Sequence, residues 1–169
     1  VDSLAGSGKF EAKGGTSPGN DGGAGSGGRT FIAYNSKSDF FDMEKSTVQG
    51  AIGFNGNSEQ GTMGFYDIDD NTLTAVEGWR FQDNDRATTD TPFSYSNFTC
   101  IASQLQSCWV RDDGVEYTLD VENVLTCDRA AKWDITTDVY VRTNTADFTD
   151  TDILGPTGSL IFELTGAAT

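Results

Sequence analysis

The sequence predicts an all-β fold, an antiparallel β-sandwich of the jelly-roll or Greek-key kind with a Gly-rich N-terminal extension. Three observations lead there. Apolar and polar residues alternate with period two through most of the chain after Thr30. Clusters of Gly, Asn and Asp separate the alternating runs, as turns between strands require. A chain of 169 residues is also long enough to bury one core without metals or many disulfides. A closed barrel is the second choice, and the lack of an internal repeat of fixed period argues against a propeller or a β-helix.

From the N-terminus, residues 1–13 read as a strand-like arm that places Leu4, Gly6, Gly8, Phe10 and Ala12 on one face. Residues 14–29 are about half glycine and read as a flexible linker with a reach of about 20 Å. Residues 30–169 then form the sandwich. "KSDFFDMEKST" holds one short helical turn, with Asp39 as its cap and Phe40, Phe41 and Met43 folded beneath. "AIGFN", "TMGFYDI", "TPFSYSNFT" and "GSLIFELTG" are short strands. The longer runs show one wet and one apolar face: Leu73, Ala75, Trp79 and Phe81; Val115, Tyr117, Leu119, Val121, Leu125 and Cys127; Trp133, Ile135, Val139 and Val141. Trp79 and Trp133 therefore belong to the core, while Tyr66 and Tyr140 fall on the opposite phase.

Cys100 and Cys108 flank a short polar loop and are expected to pair across a hairpin, leaving Cys127 buried and free; a Cys108–Cys127 bridge is the rival. Three cysteines without histidine do not make a four-ligand zinc site. No apolar run reaches the roughly 20 residues of a membrane span, so membrane insertion is not expected. A start at Val1 and the sequon Asn97-Phe98-Thr99 agree with an exported chain, extracellular or at a cell surface.

The formal charge of −15 makes nucleic acid and anionic membranes poor partners. The absence of histidine removes the usual partner of a Ser or Cys nucleophile, and no phosphate-binding glycine motif stands between a strand and a helix. The chain is accordingly read as a non-enzyme. Carboxylate-rich loops are candidate calcium sites because calcium takes oxygen ligands alone. Asp67, Asp69, Asp70 and Asn71 are the densest such set, ahead of Asp83, Asn84, Asp85 and Asp90 and of Asp147, Asp150 and Asp152. The first functional expectation is a secreted structural subunit that polymerises, its arm adding a strand to a neighbouring copy through Leu4 and Phe10. The alternatives are a calcium-dependent carbohydrate-binding or adhesive module and a small polysaccharide-acting enzyme.

Overall fold

The computed structural model describes residues 1–17, 23–53, 56–82, 92–104, 106–112, 114, 116–127, 131–147, 152–154 and 159–164. Fifteen strands lie among them: β1 (Ser3–Leu4), β2 (Arg29–Tyr34), β3 (Ser36–Lys37), β4 (Ile52–Gly53), β5 (Gly56–Asn57), β6 (Thr62–Asp67), β7 (Thr72–Val76), β8 (Gly78–Arg80), β9 (Phe93–Ile101), β10 (Trp109–Arg111), β11 (Tyr117–Cys127), β12 (Lys132–Asp134), β13 (Val139–Asp147), β14 (Asp152–Leu154) and β15 (Leu160–Leu164). The all-β expectation holds, with one 3₁₀ turn at Met43–Lys45. That turn is capped by Asp42, not Asp39: the Asp42 carboxylate accepts from the Glu44 amide at 3.0 Å. Phe41 goes inside and Phe40 stays in solvent.

The strand pairing is mostly parallel, which corrects the antiparallel sandwich. One sheet has the order β15-β13-β11-β9-β7-β6-β2 and the other β14-β12-β10-β8. From β7 onward the chain places one strand in the first sheet, then one in the second, and returns to pair in parallel beside its own previous turn. This is a stacked solenoid, the class that the lack of a fixed period weighed against. Its turns are unequal: the register position held by Leu73, Phe98, Leu125 and Ala146 recurs after 25, 27 and 21 residues. Unequal turns hide a structural repeat from any search for a fixed period. Among the described residues, antiparallel pairing is confined to β6–β7 and to β4–β5.

Between the two sheets lies the main core, where Leu73, Phe98, Leu119, Leu125 and Trp133 are fully buried. Val115, expected on the same face, lies outside the described residues. A second cluster of Leu4, Tyr34, Phe41, Val48, Met63, Phe65 and Val76 seals the N-terminal end. Strand β6 serves both: Met63 and Phe65 enter the second cluster, while Gly64 lies flat against the Trp79 ring of the first. Such double-sided burial erases the alternation expected of a half-buried strand.

The arm docks on its own domain. Leu4 is buried, β1 pairs with β3, and the Phe10 ring lies 5.8 Å from Phe41 and 5.9 Å from Phe65. The described part of the glycine-rich stretch is laid down by backbone hydrogen bonds, from Gly14 to the Gln49 carbonyl at 2.9 Å, from Gly27 to Glu59 at 3.0 Å and from Gly28 to Ala12 at 2.7 Å. Glycine is needed there for close approach. A Cβ on Gly27 would run into the Val48 carbonyl, and one on Gly14 into that of Gly25. The linker reading is thereby corrected for those residues, since backbone packed on backbone leaves no room for a side chain.

The disulfide is Cys100–Cys127, with Cα atoms 4.6 Å apart. Both cysteines occupy one register position on neighbouring turns, so the bridge staples β9 to β11. Cys108 is the buried cysteine outside this bridge and donates to the Ala75 carbonyl at 3.7 Å. The expected Cys100–Cys108 pair assumed a hairpin that does not form; instead the chain crosses to the other sheet between the two residues.

Candidate ligand-binding groove

Period two on β8, β10 and β12 sends Trp79, Val110 and Trp133 into the core and leaves two outward columns. One column is Gly78, Trp109 and Lys132; the other is Arg80, Arg111 and Asp134. The Arg111 guanidinium lies 4.8 Å from the Trp109 ring centre and the Lys132 ammonium 5.2 Å, so two cations contact the half-buried indole. The Asp134 carboxylate forms an ion pair with Arg111 Nε at 3.6 Å. Arg80 reaches Glu59 at 3.8 Å, and Arg29 donates to Gln82 at 2.7 Å.

Trp109, Arg29, Arg80, Arg111, Glu59 and Gln82 line an open groove of about 220 Å³ together with segments 26–28 and 61–62. It runs on past the ends of β10 and β12 into a second hollow of about 260 Å³, which shares Glu59, Arg80 and Arg111 and reaches Asp112 and Thr136. Beside it opens a cleft of about 350 Å³ lined by Arg29, Phe31, Trp79 and Tyr95. Phe31 is 54% exposed and stacks 6.2 Å from Tyr66.

The groove also gathers unsatisfied polar atoms. Buried side-chain atoms without a hydrogen-bond partner include Gln60 Oε1, Thr62 Oγ1 and Trp79 Nε1, all on residues that line it. All three atoms lie beneath the surface of the lining, out of reach of a ligand in the groove, and Ser38, Tyr117 and Asp120 carry the same kind of atom elsewhere.

At the far end, Asp112 braces the groove. Its carboxylate accepts from the Thr136 and Thr137 amides at 2.7 and 2.8 Å and from their hydroxyls at 2.7 and 2.9 Å. Burial alone would raise its pKa, but these bonds and one from the Gly114 amide outweigh burial and hold it below the usual carboxylate value. Asp112 thus binds the corner of one solenoid turn to the corner of the next.

The residues singled out from the sequence lie elsewhere. Asp67, Asp69, Asp70 and Asn71 form the turn of the β6–β7 hairpin, where the Asp67 carboxylate accepts from the Asp70 amide at 3.2 Å and Asn71 Oδ1 from the Tyr66 hydroxyl at 2.8 Å. Among the described residues no three carboxylates or cysteines converge as metal ligands. Asp83, Asn84, Asp85, Asp90 and Asp150 fall outside the described residues, as do the side chains of Asp147 and Asp152. Asn97 sits within β9, half-buried, and its amide donates to Thr72 Oγ1 at 3.0 Å. Leu4 and Phe10 pack in the N-terminal cluster of their own chain.

The chain matches no family model, no curated protein and no solved structure. Its groove therefore stands on its own geometry. Sequence reasoning missed it because Arg29, Arg80 and Arg111 are far apart in the chain. The signal was the recurring short strand with an apolar middle residue, "GWR", "WVR" and "KWD", which stacks its outer positions into columns.

Proposed function

We propose that the chain is an extracellular carbohydrate-binding module that acts by binding, with the groove over β8 and β10 as its site. One observation carries the reading: a half-buried Trp109 shares a single open groove with the polar side chains of Arg29, Arg80, Arg111 and Gln82. A sugar ring offers both an apolar C–H face for an indole and hydroxyls that donate and accept, so it answers both features at once. The groove continues into a second hollow that shares Glu59, Arg80 and Arg111, and this length suits a chain more than a compact ligand. The disulfide supports an oxidising compartment.

Polymerisation by strand addition remains the second reading. Its motive was an arm in search of a sheet, and here Leu4 and Phe10 are packed at home. No calcium requirement is included in the proposal. The test is affinity electrophoresis of the intact protein through a panel of soluble polysaccharides, with Trp109→Ala alongside. Retardation by at least one glycan, reduced about tenfold or more in Trp109→Ala at unchanged melting temperature, supports the reading. Retardation by none, or equal retardation of the variant, overturns it.

A further inference from the structure

We infer that the glycan this groove takes is anionic, a uronic-acid oligosaccharide whose carboxylates lie against Arg80 and Arg111. The inference rests on the carbohydrate-binding reading and adds the chemical class of the ligand.

Charge distribution points there first. The chain carries 26 acidic and 11 basic residues, yet the described lining of the groove and its continuation holds Arg29, Arg80 and Arg111 beside Glu59, Asp112 and Asp134, with Lys132 over Trp109. Asp112 is spent on the Thr136 and Thr137 hydrogen bonds, so this stretch is far less acidic than the chain as a whole. At physiological salt the Debye length is about 8 Å, so a short ligand lying in the groove senses these neighbours ahead of the distant acidic coat.

Geometry points the same way. Arg80 and Arg111 occupy one register position on adjacent parallel strands, so their backbones are about 4.8 Å apart. Guanidinium groups present planar forks that match a carboxylate. Both already bind carboxylates of the protein, Glu59 and Asp134, at loose distances of 3.8 and 3.6 Å. Glu59 is 72% exposed, so a ligand carboxylate can displace it at little cost. Trp109, with Arg111 over its ring, lines the groove beside the same position.

The test is isothermal titration of the intact chain with an oligogalacturonate of about six units, with the same oligomer fully methyl-esterified, and with a sulfated glucan oligomer of equal charge. Binding of the acid form at least tenfold tighter than both others is the expected result. Arg80→Gln and Arg111→Gln should each weaken the acid form about tenfold or more without altering the melting temperature. Arg111→Lys, which keeps the charge and loses the fork, should weaken it nearly as much. Equal binding of acid and ester, or preference for the sulfated oligomer, overturns the uronate assignment while the carbohydrate-binding reading stands. The uronate assignment falls equally if Arg111→Lys binds like the parent, or if the acid form fails to bind while a neutral glycan binds through Trp109. Binding of no glycan in either experiment overturns both.

Discussion

Replacing Glu77 by alanine should cost about 3–4 kcal/mol of stability, because one buried carboxylate joins three segments. Glu77 is wholly buried at the corner between β7 and β8. Its Oε2 accepts from the Val48 amide at 2.7 Å and the Thr47 hydroxyl at 2.9 Å, and its Oε1 accepts from the Ser103 hydroxyl. Its own backbone joins the next turn, donating to Ile101 at 3.1 Å and accepting from Trp109 at 2.8 Å. With φ at 61°, the residue also occupies a left-handed conformation that costs an L-residue about 1 kcal/mol and persists because these bonds fix it. In the alanine variant the Val48 amide keeps no acceptor and has no freedom to turn away. Glu77→Gln is the informative control. Its oxygen can serve Val48 and Thr47 while its NH₂ group faces Ser103 Oγ, which already accepts from the Gln106 amide at 3.1 Å and has a second lone pair. A cost of about 1 kcal/mol follows. At about 2–4 °C per kcal/mol for a chain of this size, the expected losses in melting temperature are about 10 °C for alanine and about 3 °C for glutamine. Urea unfolding and calorimetry measure both. An alanine variant within about 1 kcal/mol of the parent would refute the idea that Glu77 ties the corner.

Three further outcomes are expected. Asp112 has a depressed folded-state pKa, so its contribution is complete above the unfolded value near 3.8 and is lost as pH falls through the lower folded value; Asp112→Asn should cost about 2 kcal/mol at neutral pH and flatten the fall in stability below about pH 4, as followed by urea melts across pH. Non-reducing peptide mapping should recover the Cys100–Cys127 pair, with Cys108 alkylated only on unfolding, and removing the bridge should cost about 3–4 kcal/mol for a loop of this length. Gly27→Ala should destabilise by about 1–3 kcal/mol, since its Cβ meets the Val48 carbonyl and the Gly61 amide, whereas Gly8→Ala, with nothing near, should melt within a degree or two of the parent.

Period two correctly sorted Leu119, Val121, Leu125, Trp133 and Val141 into the core. Alternation carries no direction, however, and reads alike for parallel and antiparallel strands. Direction is set by whether the chain turns back at once or crosses to another sheet first, and the loops here are too uneven to declare that choice. Tyr66 shows a second limit: assigned to the outer phase, it packs half-buried on the main core because Met63 and Phe65 on its strand face the second cluster. The cysteine pairing was hidden for the same reason as the fold. Cys100 and Cys127 become neighbours only once β9 and β11 stack in register. The aspartates read as candidate ion ligands shape a hairpin turn, a role their short acceptor side chains also fill. The arginines of the groove, single in sequence, acquire meaning only as a column.

The groove itself is tested most directly by amide and indole NMR shifts of the ¹⁵N-labelled protein on titration with oligogalacturonate. The largest changes should fall on the Gly27, Gly28, Gly61 and Thr62 amides and the Trp109 indole, with the Asp67–Thr72 hairpin unmoved. Changes concentrated on that hairpin or on the N-terminal cluster, with the groove silent, would contradict the account.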